Sequence, residues 1–369
     1  MSDRTRVGIT VGSLALPAAL PGVSVVICTY NGTDRIERVL EALLHQENAG
    51  SFEVLLIDNN STDGVADKAR AYWEAHGKAH AELRIEVERQ QGLAFARRRG
   101  VVSSRYEVVI FCDDDNLLCQ NYINEAARLM GDPRIIAVGG GGVPVFEAPP
   151  PPYLLTRLAY LACGDRYLSD VSVGAEHEVV SDAYTVNLFG AGLTSRRDDL
   201  DALFSLEAFP FLADRSDARL TGGNDCEICF LLAMTGGLLV YSDRLRFYHI
   251  LPEERMTAAY FKKLVDDGAE GRKYWHRLGD YRKMLDEGPR TLGPRTMLSA
   301  LRALLLRRGN RGSLFRIACY LRLHGLLTPL ERSAVEMCER ARKIRRSAPL
   351  EAEPVLINNR NGGYASPRH

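Results

Sequence analysis

The sequence predicts an α/β protein in which a mostly parallel sheet is flanked by helices and followed by a helical C-terminal extension. Three observations support this fold class. Apolar, β-branched runs of strand length alternate with helical segments from Val23 to about Gly142. The apolar runs are nearly continuous, which is typical of parallel strands covered on both faces. In residues 296–346, leucines and arginines are interleaved at helical spacing.

The elements of the first region follow one another in a regular order. Apolar and β-branched residues predict strands at Val23–Thr29, Phe52–Ile57, Leu83–Val87, Val108–Cys112 and Ile135–Gly139. Apolar residues three or four positions apart predict helices at Thr33–Gln46, Ala66–His76, Gly92–Val102 and Tyr122–Met130. In such a doubly wound sheet, ligands bind beyond the carboxyl ends of the strands.

Changes in composition divide the chain into segments. Residues 1–21 form a loose leader that imitates a signal peptide but is broken by prolines. Residues 22–142 are regular, whereas 143–255 begin after a glycine run, contain a proline run and are less regular. Residues 256–346 are predicted to be helical. Residues 347–369 lack periodicity, which predicts a disordered tail.

Charge and cysteine content exclude some classes of function. The chain has 47 basic and 47 acidic side chains, so its charge gives no reason to expect nucleic acid as the main partner. Eight cysteines are scattered, several within apolar runs, which indicates reduced thiols in a cytoplasmic protein. Cys226 and Cys229 have the spacing of half a zinc site, but no second Cys or His pair lies at ligand spacing. No segment reads as a transmembrane helix.

Polar loops follow three of the predicted strands. They are Thr29-Tyr30-Asn31, the loop from Asp58 to Asp63, and Asp113-Asp114-Asp115 with Asn116. Because all three follow strand ends, we expect them to meet in one crevice. The acidic triplet is the sharpest signal, since three adjacent carboxylates repel each other and a divalent cation would compensate them. The alternative is an acidic surface turn that caps the next helix.

Two further features fit a phosphorylated ligand. The Asp58 carboxylate can accept hydrogen bonds from a base or a ribose, and the alternative is an Asx turn. Arg97, Arg98 and Arg99 are predicted at the start of a helix, where guanidinium groups suit a diphosphate. A solvated basic face is the alternative for these arginines.

Two later segments have both structural and chemical interpretations. Asn224, Asp225 and Glu227 stand at the start of an apolar helix, where N-capping and compensation of the helix dipole explain them. His249 follows a strand-like run, and it is either a structural residue or a metal ligand.

The order of these motifs resembles the family 2 inverting glycosyltransferases, which have the GT-A fold. The resemblance covers roughly residues 23–251. It is carried by Val25–Asn31, Ile57–Asp63, Gly92–Arg97, Phe111–Asn116, Phe189–Gly192 and Gly223–Glu227. It implies a catalytic domain over residues 22–255, with a nucleotide-binding half at 22–142 and an acceptor half at 143–255.

The resemblance implies a donor-binding role for five residues. Thr29 and Asp58 match positions that hold the nucleotide base, and Arg97 matches a basic position near the diphosphate. Asp113 matches the first carboxylate of the DxD pair, which faces the ribose. Asp114 lies between the two carboxylates of that pair and is grouped with the donor-binding residues; the alternative is that it only shapes the turn.

The resemblance also implies metal, catalytic and acceptor roles. Asp115 matches the DxD carboxylate that binds Mn²⁺ or Mg²⁺, and His249 resembles a histidine that completes the metal site in some members. Asp225 matches the general base. Contacts with the acceptor are implied for Asn224, Glu227 and Gly190. Asn224 departs from the family, which often has Glu there.

The activity implied is inverting transfer of one sugar from a nucleotide-sugar, by default a UDP-sugar, to the hydroxyl of a carbohydrate or lipid-linked acceptor in polysaccharide or glycoconjugate biosynthesis. Processive synthases carry a Gln-x-x-Arg-Trp motif that this sequence lacks. One alternative is a sugar nucleotidyltransferase, but its Gly-rich basic loop is replaced here by Thr29-Tyr30-Asn31-Gly32. The other is a non-catalytic nucleotide-sugar-binding protein.

The basic helices of residues 296–346 have three interpretations. A basic amphipathic helix can lie on the anionic inner face of a membrane. The alternatives are packing on the catalytic domain and a homodimer contact.

Overall fold

A computed structural model describes the parts of the chain that carry the elements below. The described residues are 20–47, 49–77, 81–164, 178–181, 188–206, 223–287, 295, 298–300, 311–321 and 324–344. The strands are β1 (Leu20–Thr29), β2 (Phe52–Asp58), β3 (Ala81–Val87), β4 (Tyr106–Asp113), β5 (Asn116–Leu118), β6 (Ile135–Gly139), β7 (Gly142–Phe146), β8 (Glu178–Ser181), β9 (Thr194–Arg196), β10 (Leu238–Ser242) and β11 (Phe247–Leu251).

Helices alternate with these strands and then continue alone. They are α1 (Ile36–Leu44), α2 (Val65–His76), α3 (Leu93–Ser103), α4 (Tyr122–Met130), α5 (Pro152–Leu155), α6 (Arg197–Phe204), α7 (Asn224–Met234), α8 (Ala258–Asp267), α9 (Ala269–Glu287), α10 (Arg311–Tyr320) and α11 (Pro329–Arg342). Short 3-10 helices lie at Leu158–Leu161, Glu253–Met256 and His324–Leu326.

The main sheet has the order β3-β2-β1-β4-β9-β6-β10-β8. The pairs among β3, β2, β1 and β4 are parallel, as is the pair of β6 and β10, whereas β9 and β8 run antiparallel to their neighbours. A small second sheet has the order β5-β11-β7. The predicted mostly parallel sheet is confirmed. The small sheet was not predicted, because three-residue β5 is too short to give a periodic signal.

Both faces of the main sheet are buried, which explains the continuous apolar strands. Val26, Leu55 and Val109 face one apolar cluster, which also contains residues of α3, α7 and the C-terminal helices. The alternate residues face a second cluster with α1 and α4, and examples are Val25 and Val54. A parallel strand thus packs apolar side chains on each side, as its sequence predicts.

All nine strands and helices predicted in residues 23–139 are present, and each end lies within three residues of its predicted position. α4 and β6 have the predicted bounds. β1 begins at Leu20, inside the predicted leader. α3 begins at Leu93, so Arg97 lies in the middle of this helix and the prediction that it stands at a helix start is wrong. The rest of the leader and the predicted disordered tail lie outside the described residues.

The C-terminal helices pack against the rest of the protein. Tyr274 and Leu278 of α9 and Cys338 of α11 are fully buried, in the same apolar cluster as Phe230 of α7. This favours the packing interpretation for α11, because its apolar face is already covered. Residues 301–310, which carry most of the leucine and arginine pattern, lie outside the described residues. In the part of the chain that the structure describes, no helix is both long and apolar enough to cross a membrane.

We expect Leu278→Ala to lower the free energy of unfolding of the whole protein by about 2–5 kcal/mol, because it opens a cavity in the shared core. Denaturant unfolding, followed by circular dichroism, measures this change. The matched control is Leu298→Ala, since Leu298 is half-exposed, and its effect should stay within about 0.5 kcal/mol. A separate unfolding phase for the C-terminal helices, with the remainder unchanged, would contradict a shared core.

Candidate active site

The register of the parallel strands brings three of the predicted loops together. Thr29 at the end of β1 pairs with Asp58 at the end of β2. On the other side of β1, Cys28 pairs with Asp113 of β4. All three strands therefore end at one edge of the sheet, and the predicted convergence of Thr29, Asp58 and the acidic triplet is confirmed.

Hydrogen bonds join the loop after β1 to the loop after β2. Asn31 has a positive φ of 50°, and its Oδ1 accepts from the Thr62 amide at 2.9 Å. Asp63 Oδ2 accepts from the Thr33 amide at 2.8 Å. Asp58 Oδ1 accepts from the Ser61 amide at 2.8 Å, so the Asx-turn interpretation of Asp58 holds for that oxygen. Asp58 is partly exposed at the rim, where a ligand can reach it.

Each carboxylate of the acidic triplet has an arginine beside it. Asp113 Oδ1 lies 3.6 Å from Arg97 Nη2, and Asp114 Oδ2 lies 2.9 Å from Arg35 Nη2. Asp115 Oδ2 accepts from Arg255 Nη1 at 2.6 Å. The three cations offset the mutual repulsion of the carboxylates. Arginines therefore supply part of the compensation that the sequence analysis expected from a divalent cation.

Asp114 points into the protein. Its Oδ2 accepts from Thr29 Oγ1 at 2.7 Å, and a Cβ added to Gly32 would lie 2.3 Å from each of these two oxygens. Burial and the neighbouring Asp115 raise the pKa of Asp114, although Arg35 opposes this. The predicted direct donor contact of Asp114 is corrected, because its carboxyl holds Thr29 and Arg35 in place. Asp113, with 32% of its side chain exposed, is the triplet member that faces the cleft.

Asp115 and His249 lie side by side although they are far apart in the sequence. The cause is strand pairing, because His249 of β11 pairs with Asn116 of β5, the residue after Asp115. Asp115 Oδ2 and His249 Nε2 are 3.6 Å apart. Asn116 Nδ2 donates to Asp115 Oδ1 at 2.7 Å, which fixes the carboxyl group.

The histidine is held in the tautomer that suits a metal ligand. His249 Nδ1 lies 2.7 Å from the Leu161 carbonyl oxygen, so Nδ1 must carry the proton and donate. With the proton on Nδ1, His249 Nε2 can accept from Arg255 Nη1 at 3.3 Å, and it lies 3.6 Å from Asp115 Oδ2. A histidine that donates one ring N–H to a backbone carbonyl is the usual arrangement for a metal ligand.

Asp115 Oδ2 and His249 Nε2 suit a divalent cation that also contacts a bound phosphorylated molecule. Two metal–ligand bonds of about 2.1 Å can span the gap between Asp115 Oδ2 and His249 Nε2. Among the described residues, no group of three or more His, Cys, Asp or Glu side chains converges to hold a metal by itself. Mg²⁺ and similar ions commonly take one or two protein carboxylates and complete their shell with substrate phosphates and water. Asp115 and His249 would be the protein ligands.

Arg97 lies under the cleft and links its two sides. It is buried, it lies 3.6 Å from Asp113, and its Nη1 donates to Asn224 Oδ1 at 3.2 Å. Asn224 has no exposed surface, so its predicted contact with the acceptor is corrected to a contact with Arg97. Asn224 is the residue immediately before Asp225. Arg97 therefore connects the donor side of the site to the predicted base.

Asp225 sits at the start of α7 with its carboxylate fixed by two backbone amides. Oδ1 accepts from the Cys226 amide at 2.9 Å, and Oδ2 accepts from the Gly190 amide at 3.2 Å. Asp225 is partly exposed and can meet a ligand. Gly190 is buried, and a Cβ there would lie 2.5 Å from Arg97 Nη2. The predicted acceptor contact of Gly190 is corrected, because this glycine packs on Arg97 and orients Asp225.

Glu227 does not face the cleft. Its side chain is fully buried, and its Oε1 accepts from Tyr274 Oη of α9 at 3.1 Å. The prediction that Glu227 contacts the acceptor is wrong for this reason. No local pattern indicates this partner, because Tyr274 lies 47 residues away in a segment predicted only to be helical.

Three residues of the site were not predicted from the sequence. Arg35 and Arg255 pair with carboxylates of the triplet. Asn59 Oδ1 accepts from the Gly92 amide at 2.8 Å, which fixes the loop before α3 beside β2. Asn59 directly follows Asp58, so its place at a strand end is a usable signal. The arginines have no such signal, since single basic residues in turns are common.

Comparisons with known proteins agree with this geometry. Residues 24–168 match the family described as Glycosyl transferase family 2. Glycosyltransferase AglE of Haloferax volcanii is 33% identical over 126 residues, which are 34% of this chain and 40% of AglE. Putative glycosyltransferase EpsH of Bacillus subtilis is 28% identical over 112 residues, 30% of this chain and 31% of EpsH. The chain thus spans less than half the length of these relatives.

A solved structure extends the likeness beyond the matched segment. The mannosyltransferase PcManGT from Pyrobaculum calidifontis, in complex with GDP-Man and Mn²⁺, is similar with a TM-score of 0.50 and 18% identity. The likeness covers 88% of this chain and 87% of that one. Together with the family match, it confirms the predicted GT-A fold.

Proposed function

We propose that this protein transfers one sugar from a nucleotide-sugar to an acceptor hydroxyl with inversion, and the match of residues 24–168 to Glycosyl transferase family 2 supports this proposal. The proposed catalytic domain spans residues 22–255, with the donor bound by 22–142 and the acceptor by 143–255. Helices α9 and α11 pack against α7.

The observation that carries the proposal is the link through Arg97. This buried guanidinium lies 3.6 Å from Asp113 on the donor side and 3.2 Å from Asn224, the neighbour of Asp225. A transferase needs donor and base at fixed positions, because transfer occurs only when the acceptor oxygen meets the anomeric carbon in line. A binding protein has no need for a partly exposed carboxylate fixed by two amides beside the donor site.

Each residue has a defined part in the proposed mechanism. Thr29, Asp58 and Asp113 hold the nucleoside. The positive charge of Arg97, 3.6 Å from Asp113, favours binding of the negatively charged diphosphate. Asp115 and His249 would bind Mn²⁺ or Mg²⁺, which neutralises the charge that develops on the departing nucleoside diphosphate.

Asp225 would take the proton of the acceptor hydroxyl. The acceptor oxygen then bonds to the anomeric carbon as the bond from that carbon to the diphosphate oxygen breaks. Attack opposite the leaving group inverts the configuration in one step. Positioned base catalysis of this kind contributes about 10²–10⁴ in rate.

The nucleotide, the acceptor and the location are proposed from the relatives and from the cysteines of this chain. UDP is proposed from the family resemblance, whereas PcManGT holds GDP-Man, so both nucleotides belong in a donor screen. A further relative, from Bacillus subtilis and 30% identical over 96 residues, is a putative teichuronic acid biosynthesis glycosyltransferase, which supports a carbohydrate or lipid-linked acceptor in polysaccharide or glycoconjugate biosynthesis. All eight cysteines are free thiols, which supports a cytoplasmic location.

A screen of nucleotide-sugars with and without Mn²⁺ tests the proposal. We expect one donor to raise the melting temperature, because a ligand at 100 times its Kd stabilises the folded state by about 2.7 kcal/mol. The increase should be larger with Mn²⁺ than without it. Nucleoside monophosphates serve as controls, since they lack the diphosphate that the metal and Arg97 would meet.

Turnover separates a transferase from the alternatives. Release of free nucleoside diphosphate from the stabilising donor, accelerated by an acceptor, is expected for the transferase. Formation of a nucleotide-sugar from a sugar phosphate and a nucleoside triphosphate would instead identify a nucleotidyltransferase. A donor that binds without any turnover, even with acceptors present, would indicate a binding protein.

A further inference from the structure

Arg255, one of the three arginines beside the acidic triplet, contacts both side chains that are proposed to bind the metal. Its Nη1 lies 2.6 Å from Asp115 Oδ2 and 3.3 Å from His249 Nε2. These two atoms are the protein ligands that the proposed function assigns to the divalent cation. One guanidinium nitrogen therefore already bonds to both of them.

The site has little room for a second cation. Only 6% of the Asp115 side chain and 8% of the His249 side chain are exposed. Arg255 is more accessible at 21%, and it reaches the pair from a 3-10 helix at the rim, Glu253–Met256. Two cations in contact with the same buried atoms repel each other strongly, since the local dielectric is low. A metal ion can bind both ligands only after the guanidinium has left.

We propose that Arg255 and the divalent cation exchange at Asp115 and His249. In the metal-free protein the guanidinium holds the two ligands in place and offsets the charge of Asp115. When the ion arrives, Arg255 leaves. This inference rests on the proposed function, because it concerns the same metal site.

The exchange couples the metal to the donor. When Arg255 is displaced it loses a buried carboxylate partner. This loss weakens binding of the metal when no nucleotide is present. A nucleoside diphosphate restores the balance, because its oxygens supply new acceptors for a guanidinium and further ligands for the ion. The metal should therefore bind tightly only together with a nucleoside diphosphate.

Mn²⁺ binding without nucleotide tests the exchange. Electron paramagnetic resonance of free Mn²⁺ gives the affinity of the wild type, Arg255→Gln and Arg35→Gln. We expect Arg255→Gln to bind Mn²⁺ at least about 10-fold more tightly than the wild type, since the competing cation is gone. Arg35→Gln is the matched control, because Arg35 pairs with Asp114 and not with the proposed ligands. Its gain should be less than about 3-fold.

Addition of UDP or GDP provides the second measurement. Either nucleotide, whichever binds, should raise the Mn²⁺ affinity of the wild type at least about 10-fold and that of Arg255→Gln by a smaller factor. Without metal, Arg255→Gln should melt at a lower temperature than the wild type, and Mn²⁺ should restore it. Arg255→Lys, which keeps the cation, should hold the wild-type Mn²⁺ affinity within about 3-fold. Arg255→Met also removes the cation and should show the same gain in Mn²⁺ affinity as Arg255→Gln, so it covers the case in which Arg255→Gln does not fold.

Each result decides between exchange and its absence. Unchanged or weaker Mn²⁺ binding by Arg255→Gln, while the wild type binds Mn²⁺ with UDP or GDP, would overturn the exchange and leave the proposed function intact. An equal gain in Arg35→Gln would also overturn it, since the effect would then be one of general charge. No Mn²⁺ binding by the wild type with either nucleotide would contradict the metal site itself.

Discussion

Asp225→Asn is expected to lower kcat about 10²–10⁴-fold while the nucleotide-sugar still binds. The amide cannot take the proton of the acceptor hydroxyl, and removing a positioned base costs rate in this range. Asn fits the site, because its oxygen can still accept from the backbone amide of Cys226 or Gly190. Initial rates of nucleoside diphosphate release give kcat, and thermal shifts with the donor give binding.

Asp67→Asn is the matched control for this variant, since Asp67 loses the same charge at an exposed position, with 86% of its side chain accessible. We expect its kcat to equal that of the wild type. Near wild-type turnover by Asp225→Asn would remove Asp225 from the base role. Lost donor binding would instead show that Asp225 serves the donor.

Asp115→Asn is expected to abolish the Mn²⁺-dependent part of donor binding and to lower kcat by more than about 100-fold. The amide is a poor ligand for a hard cation, and the metal contributes several kcal/mol to stabilising the leaving group. Donor thermal shifts with and without Mn²⁺ measure the first effect, and initial rates measure the second.

The stability of this variant provides an independent check. Without metal, Asp115→Asn should unfold with a free energy about 1–3 kcal/mol below that of the wild type, because Arg255 loses its buried partner. Asp266→Asn, at an exposed position on α8, controls for the loss of a carboxylate. If Mn²⁺ enhances donor binding equally in the wild type and Asp115→Asn, the metal ligand lies elsewhere.

The donor edge of the site could be predicted from local sequence. Thr29, Asp58 and Asp113 each stand at the end of an apolar run, and strand ends in a parallel sheet share one edge. The role of each polar residue at that edge was harder to predict. Asp114 and Asp115 are adjacent in sequence, yet Asp114 bonds to Thr29 and Asp115 to Arg255. Side-chain direction within a turn depends on backbone geometry that composition does not encode.

The acceptor side could be predicted less well. Asp225, Asn224 and Glu227 occupy one helix start, and sequence could not separate the exposed member from the buried ones. Asn224 and Glu227 are buried because Arg97 and Tyr274 pack against them from distant elements. Partners of this kind are set by the packing of α3 and α9 around α7, and no local pattern records them.

The α/β fold and the convergence of the strand-end loops at one sheet edge could be predicted from local sequence, because burial of both faces of a parallel strand leaves an apolar pattern. Which charged side chains meet depends on long-range packing. The pairing of β11 with β5 places His249 beside Asp115, and Arg255 reaches the same atoms from the 3-10 helix that follows β11. Such contacts join residues more than 100 positions apart, and they depend on how the two sheets pack.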